Sequence, residues 1–401
     1  MPQPQHPTIL CLASYCKGTT FLQAAKAAGC RVLLLTRDKL RDEAWPHDSL
    51  DQIFYMPDLR RKPDIFHAVS YLARSEAIDR IVPLDDYDVE TAAALREHLR
   101  LPGLGDSQAR FFRDKLAMRQ QAQAHGLTVP AFTAVFNYDQ LRHFMETVPA
   151  PWLLKPRSEA GAMGIKKVHH AEEVWRWLDQ LGDEQSYFLL EQFITGDMYH
   201  IDAVVYEGEV VVAVPHKYWQ PPMAVAHEGG VFATYRLPHD GDEATKLIEL
   251  NKQLLQAFGL RHGVAHTEFL RGENGRFYFV ETAARVGGAS IEQLVEASSG
   301  VNLWAEWAKL EAALVRGQSY TPPTDTGQYA GLLVCLAKQA YPDLASYQET
   351  EIVYRLHKKY HAGLVVSSPD HGRIMTLIEQ YQQRFAQDFL AVAPPLDKAP
   401  T

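Results

Sequence analysis

The sequence predicts an α/β domain on a doubly wound parallel sheet, followed by an α+β unit with antiparallel sheets. Two observations carry this. Over residues 8 to about 105, strand-like and helix-like segments alternate, which is the order of βαβ units. From residue 151 the text turns to strands in close succession, interrupted by two helical stretches and ending in a hairpin.

TILCLA (8–13) reads as a strand, Thr19 to Ala28 as a helix stopped by Gly29, and RVLLLT (31–36) as the next strand. Asp64 to Arg74 is helical in pattern, and RIVPL (80–84) is a short apolar strand before the helical Val89 to Leu99. Such sheets bind ligands beyond the carboxyl ends of their strands, here Ser14 to Thr19 and Asp85 to Tyr87. Asp85 and Asp86 read there as solvated loop acids or a helix N-cap rather than as catalysts. Neither GxGxxG nor GxxxxGK[ST] occurs, so dinucleotide and P-loop nucleotide binding lack support.

LPGLG at 101–105 marks a break, which sets a first domain at residues 1–106. A helix follows from Ser107 to His125, closed by Gly126 and Pro130. Strands come next at PWLLKP (151–156), IKKVHH (165–170), YFLLEQFI (187–194) and HIDAVVYEGEVVVAV (200–214), with helices near 171–181 and 242–257. After the hairpin, one helix runs from Ile291 to about Arg316, and residues 327–392 supply further strands and an amphipathic helix, Ile374 to Phe389. The second domain is thus expected at 107–316, in two lobes of about 107–188 and 189–316. A C-terminal lobe takes 317–401, and its tail PPLDKAPT is expected to be disordered.

Composition narrows the function. The 401 residues are 46% apolar and 22% charged, with a net charge of −9. No basic run with interleaved aromatics supports nucleic-acid binding. No apolar stretch approaches the roughly 18 residues of a membrane span, and MPQPQHPTIL lacks the layout of a signal peptide. Cys11, Cys16, Cys30 and Cys335 form no CxxC, so reduced thiols in a cytoplasmic protein are expected. There are 17 histidines, but neither HExxH nor a Cys/His ligand spacing points to zinc.

In HTEFLRGENGRFYFVETAARVGG (266–288), Glu268 and Glu281 stand thirteen residues apart in apolar surroundings, with Arg285 four past the second. Asn274-Gly275 between aromatic-rich runs signals a hairpin, because both residues tolerate positive φ. A two-residue loop would set Glu273 against Arg276 and, counting outward, Glu268 opposite Glu281; a bulge would shift that register by one. Opposed like charges repel. Such a pair needs a shared proton or a cation, unless each glutamate pairs with its own surface base. Lys155 ends an apolar strand and precedes a loop, Ser158 to Gly164, with two glycines. That loop reads either as a backbone nest for phosphates or as a plain hairpin turn. Glu191 is a single acid in the apolar strand LLEQFI, placed to accept the amine of adenine or to sit at a domain hinge.

In this order and spacing, Lys115, Lys155, the glycine loop, Glu191, Glu268, Glu281 and Arg285 resemble the ATP-grasp superfamily across residues 8 to 390. The stretches DKL (114–116), KPRSEAGAMGI, LLEQFITG and EFLRGENGRFYFVETAARVGG carry the resemblance. The ETAARVGG ending is most similar to bacterial L-amino-acid ligases, which join amino acids into dipeptides. Biotin carboxylases are similar at the hairpin but continue RIQVEH after the arginine, where this chain reads Arg285-Val286-Gly287-Gly288-Ala289-Ser290.

The resemblance implies an ATP-grasp fold with an N-terminal pre-ATP-grasp domain and a C-terminal lobe. It implies an ATP-dependent carboxylate–amine ligase working through an acyl phosphate, with Mg2+, or Mn2+ in its place. The substrates would be a small carboxylate and amine, amino acids foremost, with no nucleic-acid or membrane partner and a homodimer as the assembly. The alternatives are a ligase acting on a non-amino-acid carboxylate and a nucleotide-binding regulator without catalysis. By the same resemblance Lys115 and Lys155 would contact the ATP phosphates, under a flap that includes Ser158, Gly161 and Gly164. Glu191 would hold the adenine amine, the Gln192–Phe193–Ile194 backbone the ring edge, and Leu270 the ring face. Glu268 and Glu281 would hold the metal, and Arg285 would stabilise the acyl phosphate and the tetrahedral intermediate. Two positions depart from the pattern. Ala283 stands where many relatives have a third metal ligand, an asparagine, and Met198 where they have a ribose glutamate, with Asp197 beside it as a substitute. In the aromatic loop 216–238, Trp219 and His227 would contact the substrate or simply pack. His266 would reach the site or fill its wall, and Gly287 and Gly288 would flank the substrate.

Overall fold

The computed structural model describes residues 6–393, so the PPLDKAPT tail lies outside the described residues. Four parallel strands, β1 (Thr8–Ala13), β2 (Arg31–Arg37), β3 (Gln52–Met56) and β4 (Arg80–Pro83), form a first sheet in the order β3-β2-β1-β4. Strand alternation explains why it is covered on both faces. Ile9, Cys11 and Ala13 of β1 face Phe21, Leu22 and Ala25 of α1 (Thr19–Ala27). Leu10 and Leu12 face the other way, toward α2 (Lys62–Leu72) and α3 (Val89–Leu99). The edge strand β3 was not anticipated, because QIFYM is only half-buried and lacks the apolar run of its neighbours.

The single helix expected from Ser107 to His125 is broken. A short α4 (Asp106–Ala109) is followed by a 3-10 turn, and α5 (Lys115–Ala124) starts afresh. Asp114 caps α5 by accepting from the backbone N–H groups of Leu116 and Ala117. The restart puts Lys115 at a helix start, facing the site described below.

A second sheet holds β5 (Phe132–Ala134), β6 (Trp152–Pro156), β7 (Lys166–Val168) and β8 (Phe188–Gln192), in the order β5-β8-β6-β7. Helices α6 (Tyr138–Thr147) and α7 (Ala171–Leu181) bury Leu141, Phe144, Val174 and Leu178 against it. β8 belongs to this sheet, so the lobes meet after Gln192 rather than at 188/189.

The third sheet has eight antiparallel strands: β9 (Gly196–Tyr206), β10 (Glu209–Tyr218), β11 (Phe232–Arg236), β12 (Gly263–Gly272), β13 (Phe277–Ala283), β14 (Tyr329–Leu336), β15 (Ile352–Arg355) and β16 (His361–Ser368). Their order is β13-β12-β9-β10-β11-β14-β16-β15. β14 pairs directly with β11, so the sheet runs unbroken across residue 316. Residues beyond 316 therefore extend the second lobe's sheet instead of forming a lobe of their own. Helices α8 (Pro222–Glu228), α9 (Asp242–Ala257), α10 (Ile291–Ser299), α11 (Leu303–Val315) and α12 (His371–Asp388) accompany it. The helix expected over 291–316 is two. Gly300, at φ +73°, ends α10, and Asn302 caps α11 by accepting from Ala305 N–H. Among the described residues, no helix is long and apolar enough to cross a membrane.

Candidate active site

The second and third sheets enclose a cavity of about 550 Å3. Strand parity fixes what faces it. Leu270, Glu268 and His266 of β12 pair with Met198, His200 and Asp202 of β9 and share one face. Phe269 and Tyr199 point to the opposite face, into a core with Phe258 and Phe279.

Glu268 does lie opposite Glu281, by a different route from the one expected. The loop has three residues, Glu273 to Gly275: Gly272 N–H donates to Arg276 O and Gly275 N–H to Gly272 O, with Gly275 at φ +76°. That shifts the pairing by one, so Phe269 faces Phe279. Val280 is then an extra residue on β13, and this bulge shifts the pairing back. The two carboxylates are half-buried and separately partnered. Glu281 Oε1 lies 3.2 Å from Lys115 Nζ, while Glu268 Oε1 accepts from Tyr218 OH at 2.7 Å and lies 3.8 Å from His266 Nε2. Burial pushes the Glu268 carboxyl up, but His266 and Tyr218 outweigh it and hold it below its ordinary value.

Lys155 and Glu191 are both buried, and Lys155 Nζ lies 2.5 Å from Glu191 Oε1. The other oxygen, Oε2, accepts from Arg119 Nε at 2.6 Å. Burial raises the Glu191 carboxyl, and the two cations reverse this, keeping it ionised. Arg119 is 0% exposed and also donates to the bulged Val280 carbonyl, at 2.5 Å. It thus ties the floor beside Glu191 to the bulge that aligns Glu281. Gln192, Phe193 and Ile194, with Leu270, complete this end of the cavity.

The glycine loop covers the cavity through Gly161 and Ala162, both at positive φ. Ser158 and Gly164 are not among the lining residues. The loop's start is tied to the first domain: Tyr87 OH donates to Glu159 Oε2 at 3.0 Å, and Arg113 donates to Ser158 O. Lys115 Nζ donates to Glu159 O at 2.5 Å. His227, on α8, lines the cavity and lies 3.4 Å from Ala162 O through Nε2. Arg285 lines it too, with its Nε 3.5 Å from Asp86 Oδ1. Asp86 is buried and also paired with Arg113, which corrects its reading as a solvated loop acid. Burial pushes its carboxyl up, and Arg113, Arg285 and Lys115 overcome that. Asp85 does act as an N-cap, accepting from Tyr87 N–H, and it pairs with Lys17.

Two expected contacts fail on geometry. Asp197 pairs with Arg271 on the face away from the cavity, is exposed, and binds Lys217 at 2.7 Å. It cannot replace the ribose ligand, and Met198 takes the cavity-facing position. Trp219 packs against Tyr235 in the core around β11, β14 and α12, outside the cavity. Gly287 lies behind the wall, where a Cβ would come within 3.0 Å of Asp202 Oδ1 and His266 Nδ1. Gly288 lines the cavity with open space at its Cβ position.

Beneath His266 lies a cluster that no ligand spacing signalled, because its members sit on neighbouring strands. Asp202 accepts from His266 Nδ1 at 2.9 Å and from His200 Nδ1 at 2.8 Å, and His200 Nε2 meets Thr234 Oγ1 at 2.8 Å. His216 stacks on His200; both of its ring nitrogens are buried without a hydrogen-bond partner, and Nδ1 lies 3.8 Å from Asp202 Oδ2. Burial lowers the His266 imidazole, but Asp202 outweighs it and raises it to about 9. Among the described residues, His200, Asp202 and His266 are the group of side chains close enough to share a metal ion. With Nδ1–O contacts of 2.8–2.9 Å, they read as a closed hydrogen-bond chain.

Comparison with known proteins bears on the fold that carries this site. A model of the ATP-grasp domain matches residues 148–293. An L-arginine-specific L-amino acid ligase of Bacillus subtilis is 27% identical over 233 residues, 56% of this chain and 56% of that protein. A D-alanine–D-alanine ligase of Pseudomonas putida is 26% identical over 224 residues, 50% of this chain and 68% of that protein. The chain thus spans about half the length of the first of these relatives. A solved L-amino acid ligase from Bacillus licheniformis superposes with a TM-score of 0.77 at 17% identity, covering 97% of this chain and 99% of that one. Residues 148–293 thus match the ATP-grasp domain, and the chain as a whole has the fold of that solved L-amino acid ligase.

Proposed function

We propose that the chain is an ATP-dependent carboxylate–amine ligase that forms an amide, of the dipeptide kind, through an acyl phosphate. One observation carries this reading: Lys115, Lys155, Glu268, Glu281 and Arg285, from four separate segments, converge on one cavity beside an apolar slot. The family match and the ligases among the relatives support it.

Glu268 and Glu281 fit Mg2+: they are opposed, half-buried and offer hard carboxylate oxygens to an open cavity. When bound, the ion neutralises charge on the outer phosphates. The chain's own residues do the rest. The slot formed by Leu270, Ile194 and the backbone after Glu191 receives the adenine. Glu191, which lines the cavity, takes the adenine amine with a remaining lone pair while its Oε1 holds Lys155 at the cavity wall, and the loop through Gly161 closes over the phosphates. A substrate carboxylate oxygen attacks the γ-phosphorus in line, and the bond to ADP breaks. Arg285 meets the charge of the resulting acyl phosphate and then of the tetrahedral intermediate. The amine nitrogen forms the C–N bond, loses a proton, and phosphate leaves with its bonding pair.

The products expected are ADP and phosphate, one of each per amide, with hydroxylamine trapping the activated acid as a hydroxamate. Chromatography of the nucleotide tests this: AMP as the main product would refute the acyl-phosphate route. Free thiols at all four cysteines support a cytoplasmic setting. The homodimer that the family resemblance implies is tested by light scattering of the purified chain.

A further inference from the structure

A second, smaller cavity of about 260 Å3 adjoins the first, and Gly288 and Ala289 line both. Its far wall is rich in acceptors. Glu292, in the first turn of α10, reaches it without an ion pair among the described residues: its carboxylate accepts from its own backbone N–H and the Gln293 amide, and the ammonium of Lys17 acts on it only from a distance. Gln293 Oε1 is buried with no hydrogen-bond partner. Lys17 also lines the cavity, but its ammonium lies 2.6 Å from Asp85 Oδ2, on the first domain. Trp304, buried and stacked on Trp307, lines the cavity as well.

The orphaned amide oxygen costs free energy until a donor meets it, and the half-buried carboxylate keeps acceptor capacity beyond its two donors. A carboxylate without an ion pair calls for a positive charge, the orphaned oxygen for an N–H, and the indole for an aliphatic stem or a delocalised cation. The volume falls below the roughly 300–1,000 Å3 of pockets for drug-sized ligands. It suits a side chain rather than a second nucleotide. At Gly288 the passage between the cavities carries no Cβ, and Ala289 and Ser290 are held at φ +54° and +65°, backbone conformations that non-glycine residues rarely adopt.

We propose that Glu292 and Gln293 form a specificity pocket for an amino acid whose side chain ends in a cation, a guanidinium or an ammonium. The reacting end of that substrate stays in the main cavity near Arg285 while its stem passes Gly288. This rests on the ligase reading for which end reacts, but not for which side chain binds.

The experiment uses the full chain and two probes of nearly equal shape, L-arginine and its neutral counterpart L-citrulline. Calorimetric titration with ADP and Mg2+ present should show L-arginine binding about ten-fold tighter or more. Glu292→Gln should bring the two within about two-fold of each other, and Gln293→Met should weaken both probes, by about three- to ten-fold, because each offers an N–H to the orphaned oxygen. Melting curves confirm that each variant folds. If Glu292→Gln proves unfolded, Gln293→Met together with the wild-type preference still decides. Equal binding of the two probes by the wild type, or a preference that survives Glu292→Gln, overturns the proposal. ADP formation is measured in parallel. Discrimination in binding without ADP formation from any acid and amine would sink the ligase reading and leave the cation pocket standing. ADP formation without discrimination would do the reverse.

Discussion

Replacing Arg119 by methionine tests whether one buried side chain aligns the whole site. Arg119 is 0% exposed and makes two bonds that methionine cannot: Nε to Glu191 at 2.6 Å and Nη1 to the Val280 carbonyl at 2.5 Å. Removing one member of a buried ion pair costs about 3–5 kcal/mol when the partner is left alone. Here Lys155 remains on Glu191, so the lower end applies. The Val280 carbonyl loses its donor, worth about 1–3 kcal/mol. Against this, Arg119 Nη2 is buried without a partner, and its desolvation cost disappears in the variant. The net prediction is a loss of about 3 kcal/mol in urea unfolding at pH 7. A functional loss should accompany it. The bulge at Val280 is what sets Glu281 opposite Glu268, so ATP–Mg2+ affinity should fall about ten-fold, or 1.4 kcal/mol. Arg119→Lys keeps the charge but cannot reach both acceptors, and should fall between. A loss under about 1 kcal/mol, with unchanged ATP–Mg2+ affinity, would refute the reasoning.

Glu268→Gln or Glu281→Gln should leave the fold intact yet abolish turnover, since either removes half of the proposed metal pair; near-normal activity at saturating ATP and Mg2+ would end that assignment. Backbone amides at 158–164 should exchange more slowly with ATP–Mg2+ bound than without it, and identical rates would return the loop to a plain turn. A third expectation concerns pH. Burial opposes, but Asp202 holds His266 at about 9 against an ordinary 6.5. Because the folded value is the higher one, this contribution is complete below about 6.5 and lost as pH rises through about 9. Stability should drop by an amount on the order of 3 kcal/mol across that window, and Asp202→Asn should flatten the curve. Urea unfolding of both proteins from pH 6 to 9.5 checks it, and a level wild-type curve would contradict it.

The elements readable in the sequence were those with one clear period. β1, β2 and β4 are apolar runs, and the acid-bearing strands β8 and β12 betray themselves by a single acid among mostly apolar residues. What escaped lacked local marks. β3 is an edge strand, and the breaks at Asp114 and Gly300 need capping geometry to win over helical periodicity on both sides. Arg119 could not be placed, because an arginine on a helix normally faces water, and only the packing of α5 on β13 buries it. The histidine cluster needs the register of β9 against β12, since Asp202 and His266 lie 64 residues apart.

The opposed glutamates show what a pattern reading does determine. The loop length was misjudged by one residue and the bulge was absent from the count, yet the pairing came out right, because each error moves the register by one in opposite directions. That agreement follows from burial. Glu268 belongs to the cavity face of β12, whereas Phe269 and Phe279 belong to the opposite core, so a one-residue slip would put aromatic rings into the cavity and carboxylates into the core. The chain is therefore free to vary its loop only if a bulge restores parity, and Arg119 holds the carbonyl that the bulge exposes. Asp197 shows the same rule from the other side. It stands one position from the cavity-facing Met198, and one position on a strand is the difference between the site and the solvent. A ribose contact moved to Asp197 would have needed a bulge between Gly196 and Met198, and the pairing of β9 with β12 is continuous there. Proximity in sequence can carry a role along a loop; along a paired strand it reverses it.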